Sequence, residues 1–359
     1  MKFPLVENII WTLVVVLLVV IVILVIYLKI LRRNIRVVEA KNIKYTNVIE
    51  ALLVEYLHLK QEEGDFSKAQ KKIIKKFKKG VQNRRKRKVI TQIFLKLTQQ
   101  VSGNIIDILH QLYEEIGLLD FALQKIKSRK WNIIALGIRD LRQFEVKKVS
   151  PLIEKFVNHS KEEVRREAHL YFLELFEFEG LQFLDNLKVP LSEWDQIELL
   201  IEIENFENQH LLEVTKWLKS ENDYVILFIL NIVKIFNKLE TKDILLGLLN
   251  HKNEEVRLKT IDVITHFEIV EAKEVLIEKY GRLTFKEKKA LFVLLEKTAT
   301  QKDSLFVINH INDTEFSIKS KALTILKKHD VKLYNKLEKT SEDESYNRII
   351  HFLDYSYGV

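Results

Sequence analysis

No cysteine occurs among the 359 residues, which excludes disulfides, thiolate zinc sites and thiol nucleophiles. Three prolines and nine glycines leave little material for hairpin turns and argue against a sheet-rich fold. GxGxxG, GxxxxGK followed by Ser or Thr, and HExxH are all missing, so the commonest dinucleotide, phosphate-loop and zinc-helix signatures are absent. The histidines are scattered, and the acidic clusters Glu162-Glu163, Glu254-Glu255 and Glu342-Asp343-Glu344 stand where helices are expected to begin, a position the helix dipole favours for carboxylates. No catalytic, cofactor-binding or metal-ligating residue is therefore assigned, no cofactor is expected, and the chain reads as a non-enzyme.

What is present begins with IIWTLVVVLLVVIVILVIYL, Ile9 to Leu28, a run without charge, Gly or Pro. At about 1.5 Å rise per residue such a helix crosses a hydrocarbon layer of roughly 30 Å. Ile9, Trp11, Val15, Leu18, Ile21, Leu24 and Leu28 sample its whole circumference, and a buried globular helix would keep a polar face. A signal peptide has a shorter apolar region, a basic leader and a small-residue exit, whereas only Lys2 precedes this run and Tyr27-Leu28-Lys29-Ile30 follows it. The segment 9–30 is expected to be a single transmembrane anchor, with 1–8 as a short extracytoplasmic tail.

Lys29, Arg32, Arg33 and Arg36, joined by Lys41 and Lys44 against Glu39, crowd the C-terminal flank. Basic residues beside a span stay on the cytoplasmic side, which predicts an N-out protein with a cytoplasmic body. A preference for Lys, Ile and Asn suits an AT-rich bacterial genome, hence the inner membrane of a bacterium.

The formal charge of +8 is unevenly placed. Between Phe66 and Lys88 stand Lys68, Lys71, Lys72, Lys75, Lys76, Lys78, Lys79, Arg84, Arg85, Lys86, Arg87 and Lys88, with no acid among them; from Val89 onward acids outnumber bases by five. This basic collar has three readings: a solvated helical face, a contact with anionic lipid headgroups, and nonspecific nucleic-acid binding. Lipid contact has a difficulty of reach. A straight helix from residue 30 to 68 places the tract roughly 50 Å or more from the bilayer, and only a turn at Gly64-Asp65 could fold it back. Residues 31–46, polar and mixed, could extend the anchor helix out of the bilayer, and a fresh helix is predicted from Asn47, with Glu50 three residues on as in a capping box, burying Ile49, Leu52, Leu53, Tyr56 and Leu57. Phe66, Ala69, Ile73, Ile74 and Phe77, then Val89, Ile90, Ile93, Phe94 and Leu97, mark two further helices in a juxtamembrane region 31–97.

Beyond residue 97 the chain resembles itself. NHSKEEVRREA from Asn158 returns as NHKNEEVRLKT from Asn250, and the same offset of 92 lays the stretch from Ile126 on the stretch from Leu218 without a gap. Starts at Lys127, Asn158, Lys188, Lys219, Asn250, Gly281 and Asn312 divide 98–340 into units of about 31 residues. Each unit is a polar turn, a striped helix, a break and a second helix. Val164, Ala168, Phe172 and Leu175 form one stripe, with Leu181, Phe183 and Leu184 closing the unit. Tyr171, Phe172, Phe176, Phe178 and Phe183 read as core, Trp131, Trp194 and Trp217 as surface candidates. Such pairs must stack to bury their faces, so the fold class is all-α: a transmembrane helix followed by an α-solenoid of about eight helix pairs. Residues 341–359, with Ile349, Ile350, Phe352 and Leu353, would form a capping helix.

The segment FVNHSKEEVRREAHLYFLELF resembles a HEAT repeat, best at Val164-Arg165 and Val256-Arg257, less well at Ile318-Lys319, and poorly in the units from Lys188 and Gly281. Where that family places Asp before the second helix, this chain has Ser128, His159, Ser220 and His251, with Asp only at 313; capping is expected to pass to neighbours such as Ser160 with Glu163. The resemblance implies a HEAT-like, armadillo-like scaffold that docks a protein partner, here tethered to the membrane and by analogy beside envelope or polysaccharide-synthesis machinery. The alternatives are a nucleic-acid or anionic-lipid binder using the collar, or a HEAT-like lyase or glycosylase. No small-molecule substrate is expected.

Overall fold

The computed structural model describes residues 4–59, 66–98, 100–101, 103–206, 213–338 and 341–356, with the side chains of 4–10 and 104 outside that set. Among the described residues every regular element is helical. The chain divides into two compact units, residues 1–149 and 150–359.

The first unit contains α1 (Pro4–His58), α2 (Lys68–Gln82), α3 (Arg84–Thr98), α4 (Asn104–Glu115), α5 (Leu118–Ile126) and α6 (Trp131–Gln143). α1 is one continuous helix of 55 residues, so no fresh helix starts at Asn47. The physical reason is the sequence itself: neither Gly nor Pro interrupts residues 5–59, and a helix without a breaker or a competing cap continues. From Trp11 to Lys41 α1 is bare; burial starts only in its last third, where Ile49, Leu53 and Tyr56 pack under α2 and α3. Ile73, Ile74 and Phe77 of α2 and Val89, Ile90, Ile93 and Phe94 of α3 complete that small core, with Phe77 and Phe94 edge to face at 5.9 Å. α5 and α6 pack closely at Gly137, where a Cβ would sit 2.9 Å from the Ile126 backbone nitrogen.

The second unit alternates longer and shorter helices: α7 (Ser150–Ile153), α8 (Glu162–Gly180), α9 (Glu193–Glu204), α10 (Thr215–Leu218), α11 (Asp223–Ile235), α12 (Lys242–Leu248), α13 (Glu254–Phe267), α14 (Glu271–Glu278), α15 (Phe285–Thr298), α16 (Ser304–Ile308), α17 (Phe316–His329), α18 (Val331–Asn335) and α19 (Glu344–Ser356). Long packs on long in series, α11 on α13, α13 on α15, α15 on α17 and α17 on α19, and each short helix from α10 to α16 packs on the long one after it. One continuous apolar core runs from Val157 to Leu353. Within α19, Ile349, Ile350 and Leu353 face that core, while Phe352 stays 64% exposed and so contributes nothing to closing the stack.

α6 and α11 begin 92 residues apart, at Trp131 and Asp223, and α8 and α13 do so at Glu162 and Glu254. α8 is broken near its end at Glu177 (φ 49°, ψ −127°), a backbone conformation unfavourable to a side chain. Gly180 follows because a Cβ there would run into the Phe172 carbonyl.

Candidate functional site

Three sets of residues were legible as functional candidates, and the structure places each differently. Trp11, Val15, Leu18, Ile21, Leu24 and Leu28 are all more than half exposed. Ile9 lies in α1, with its side chain outside the described residues. The 48 residues from Trp11 to His58 contain the one described stretch long and apolar enough to cross a membrane. Lys29, Arg32, Arg33 and Arg36 stand exposed at its end.

The basic collar is two helices and the turn between them. Lys71, Lys72, Lys75, Lys76, Lys78 and Lys79 occupy the open side of α2, and Arg84, Arg85, Lys86 and Lys88 the first five residues of α3, all exposed. Spacing explains this: the apolar positions recur every three or four residues, so the lysines between them fall on the other face. Ser67 and Gln70 cap α2 reciprocally, and Asn83 Oδ1 accepts the Arg85 and Lys86 N–H groups at 3.1 Å each to start α3. Arg87 departs from the set. It turns inward, donates to the Val81 carbonyl at 2.9 Å and lies 3.7 Å above the Phe121 ring, and burial followed by repulsion from Arg84 holds its guanidinium pKa below the usual value. Lys78 meets Glu115 at 3.6 Å.

The collar follows α1. The start of α2 lies by the end of α1, where Gln70 Nε2 donates to the Leu59 carbonyl at 3.4 Å. Its end lies further back in the last third of α1, where Gly80 sits against the Tyr45 hydroxyl and Lys86 Nζ is 5.1 Å from the Tyr45 ring. α3 then runs out again, Ile93, Lys96 and Leu97 facing Glu50, Leu53 and Val54. α2 thus returns along α1 toward the apolar segment. Gly64-Asp65, the predicted turn, lies outside the described residues.

The expected repeat-signature residues are arranged alike in two of three cases. Val164, Val256 and Ile318 are buried, but only Arg165 and Arg257 bond the turn before their own helix, whereas Lys319 reaches forward to the start of α19. Arg165 donates to the His159 carbonyl at 2.8 Å, and Arg257 to the His251 carbonyl at 2.8 Å. Lys319 binds Asp343, and Ser345 at 2.9 Å. The departures from Asp are equally orderly. Ser128 Oγ, His159 Nδ1, Ser220 Oγ, His251 Nδ1 and Asp313 Oδ1 each accept the backbone N–H two residues on, at 2.9 to 3.2 Å. Capping does not pass to Ser160: the α8 cap position is Lys161, without a side-chain bond, because His159 already occupies that role.

Sequence reasoning missed the ion pairs joining successive helices. Arg166 Nε meets the buried Asp195 at 2.6 Å, Arg257 Nε meets the buried Glu287 at 2.5 Å, and the buried Lys273 meets Asp303 at 2.6 Å. Asp195 and Glu287 also cap their own helices with Ser192 and Thr284, and that Ser/Thr-x-x-acid spacing was the available signal. Burial pushes the Glu287 and Asp303 carboxyls up, but the bonds from Arg257 and Lys273 outweigh it and leave both below the usual range.

Trp217 proves buried, donating to Asp185 at 2.7 Å, because its helix faces the core; Trp131 and Trp194 are exposed. Tyr171 and Phe183 are buried and Phe172 and Phe178 pack against the core as expected, while Phe172, Phe176 and Phe183 also line a cavity of about 340 Å³ with Ser150, Glu154, Glu179 and Asp185. Its lining has no imidazole or cation to activate Ser150, and Asp185 is engaged by Trp217 and Lys216. Among the described residues no three His, Asp or Glu side chains converge as a metal set.

No family model and no curated protein matches the chain. Among solved structures, the crystal structure of an engineered protein matches at 11% identity over 71% of this chain and 95% of that one, with a TM-score of 0.24.

Proposed function

We propose that the chain is a single-pass membrane scaffold whose cytoplasmic body, a HEAT-like α-solenoid of units about 31 residues long, docks a protein partner. The repeat reading is supported by bonds that step one unit at a time: Arg257 with Glu287, Lys273 with Asp303, Thr284 with Glu254, and Asn253 with Asp223 are each 30 residues apart. The anchor reading is supported by the bare apolar stretch of α1, and the orientation by Lys29, Arg32, Arg33 and Arg36.

One observation carries the docking role. Trp194, Ile197 and Ile201 are 58%, 48% and 51% exposed along α9, a spacing that puts them on one helical face. Glu193, Glu198 and Glu202 border them, and Trp194 Nε1 donates to Glu198 at 3.0 Å. A Trp-centred apolar stripe with a polar rim is the anatomy of an interface hot spot. Membrane tethering would raise the effective concentration of whatever docks there for neighbours in the same bilayer.

The test is a comparison of detergent-extracted full chain with its Trp194→Glu/Ile201→Glu variant. The same partner should copurify with the parent and fall at least tenfold with the variant, the two melting alike. Equal recovery from both, or none from either, contradicts the reading.

A further inference from the structure

We infer that the α2–α3 turn, carrying Lys79, Arg84, Arg85, Lys86 and Lys88, docks against the anionic leaflet of the same bilayer that holds α1. This rests on the anchor reading.

Two independent observations carry it. The first is direction. α2 runs back along α1, so that Gly80 and Lys86 both lie at the level of Tyr45, and the turn at Gln82–Asn83 projects about one helical turn further toward the apolar segment. Tyr45 stands 14 residues past Leu31, the last apolar position before Arg32-Arg33, which is about 21 Å along the helix axis. A headgroup layer takes up roughly 5–8 Å of that distance, and the projecting turn with its long side chains takes up most of the rest. The guanidinium and ammonium groups then stand within a Debye length of about 8 Å of the lipid phosphates. Between Leu31 and Glu50 the α1 stretch below the turn has Glu39 as its one acid, against Arg32, Arg33, Arg36, Lys41 and Lys44.

The second observation is a broken local rule. The first turn of α3 contains Arg84, Arg85, Lys86 and Arg87 and no acid, although the positive end of a helix disfavours cations. Departures of this kind mark function where the structure holds them in place. Arg87, locked onto Phe121 and the Val81 carbonyl, and Asn83, bonded to the α3 amides, hold this one. Arg84, Arg85, Lys86 and Lys88, exposed at the positive end of α3, together favour a phosphate oxygen, and a bilayer presents many at once.

The absence of cysteine makes the test direct. The full chain with Gln82→Cys, an exposed position, is labelled with a fluorophore and reconstituted into vesicles containing a headgroup-nitroxide lipid. One set is phosphatidylcholine alone, the other includes about a third phosphatidylglycerol. Retention after alkaline carbonate washing is measured in both. Quenching should be at least twofold greater in the anionic vesicles. It should return to the neutral level in 1 M salt and with Arg84→Glu/Arg85→Glu/Lys88→Glu, whose acids suit the start of a helix and leave α3 intact. A chain that resists carbonate but is quenched equally in both vesicles overturns the lipid contact alone, and a chain that washes off overturns the anchor with it. A label that added duplex RNA shields while both vesicles quench it equally reassigns the turn to nucleic acid and likewise overturns the proposal.

Discussion

His169 in the second unit is a buried titratable side chain. It is 1% exposed, its Nε2 donates to the Val157 carbonyl at 3.0 Å, and its ring stacks on Phe183 at 4.4 Å. Burial pushes its pKa down to about 4. An unfolded histidine takes a proton near 6.5, so between about 6.5 and 4 the unfolded chain binds more protons and stability falls as pH falls. Integrated over that window the loss is about 3 kcal/mol. Denaturant unfolding between pH 7 and 4.5 should show the slope, and His169→Gln, which keeps a donor, should remove most of it. Glu268 makes a second prediction. It ends α13 in the left-handed conformation (φ 55°, ψ 42°), where Gly has no Cβ penalty, and its pairing with Lys297 at 3.8 Å is solvent-exposed and weak. Glu268→Gly should stabilise by about 0.5–1 kcal/mol, read as a raised denaturant midpoint.

At the scale of elements, Arg257 joins α13 to α15 and to its own preceding turn. Arg257→Met removes the partner of Glu287, which is 1% exposed, and should cost about 3–5 kcal/mol; Arg257→Met/Glu287→Leu should recover most of it. Gly137 is the corresponding point for α5 and α6: with the Ile126 nitrogen 2.9 Å from a would-be Cβ, Gly137→Ala should cost about 1–3 kcal/mol in the thermal unfolding of the full chain. Helix identity and core stripes were readable because apolar residues recur at helical spacing, as Ile73, Ile74 and Phe77 do. The break at Glu177 was not readable, since no Gly or Pro marks it; tertiary packing around Gly180 imposes it. Nor was the unbroken α1, because the Asn47–Glu50 spacing imitates a cap that a helix already in progress does not use.

At the scale of the molecule, the sequence made the long apolar N-terminal helix and the helical body plain, because both are patterns of hydrophobicity. It left the placement of the basic turn open, because direction depends on the α2 to α1 packing that only coordinates supply. It also left the exposed α9 stripe unread: Trp194, Ile197 and Ile201 carry the same periodicity as a core face, and only exposure distinguishes the two. The most direct test of a body held on the cytoplasmic side by α1 uses a single cysteine at Tyr355, a position 85% exposed, in the otherwise cysteine-free chain. In intact bacterial spheroplasts an impermeant maleimide should leave Tyr355→Cys unlabelled, with full labelling after lysis and the chain retained in the carbonate-washed membrane pellet. Labelling before lysis, or release of the chain into the wash, would contradict it.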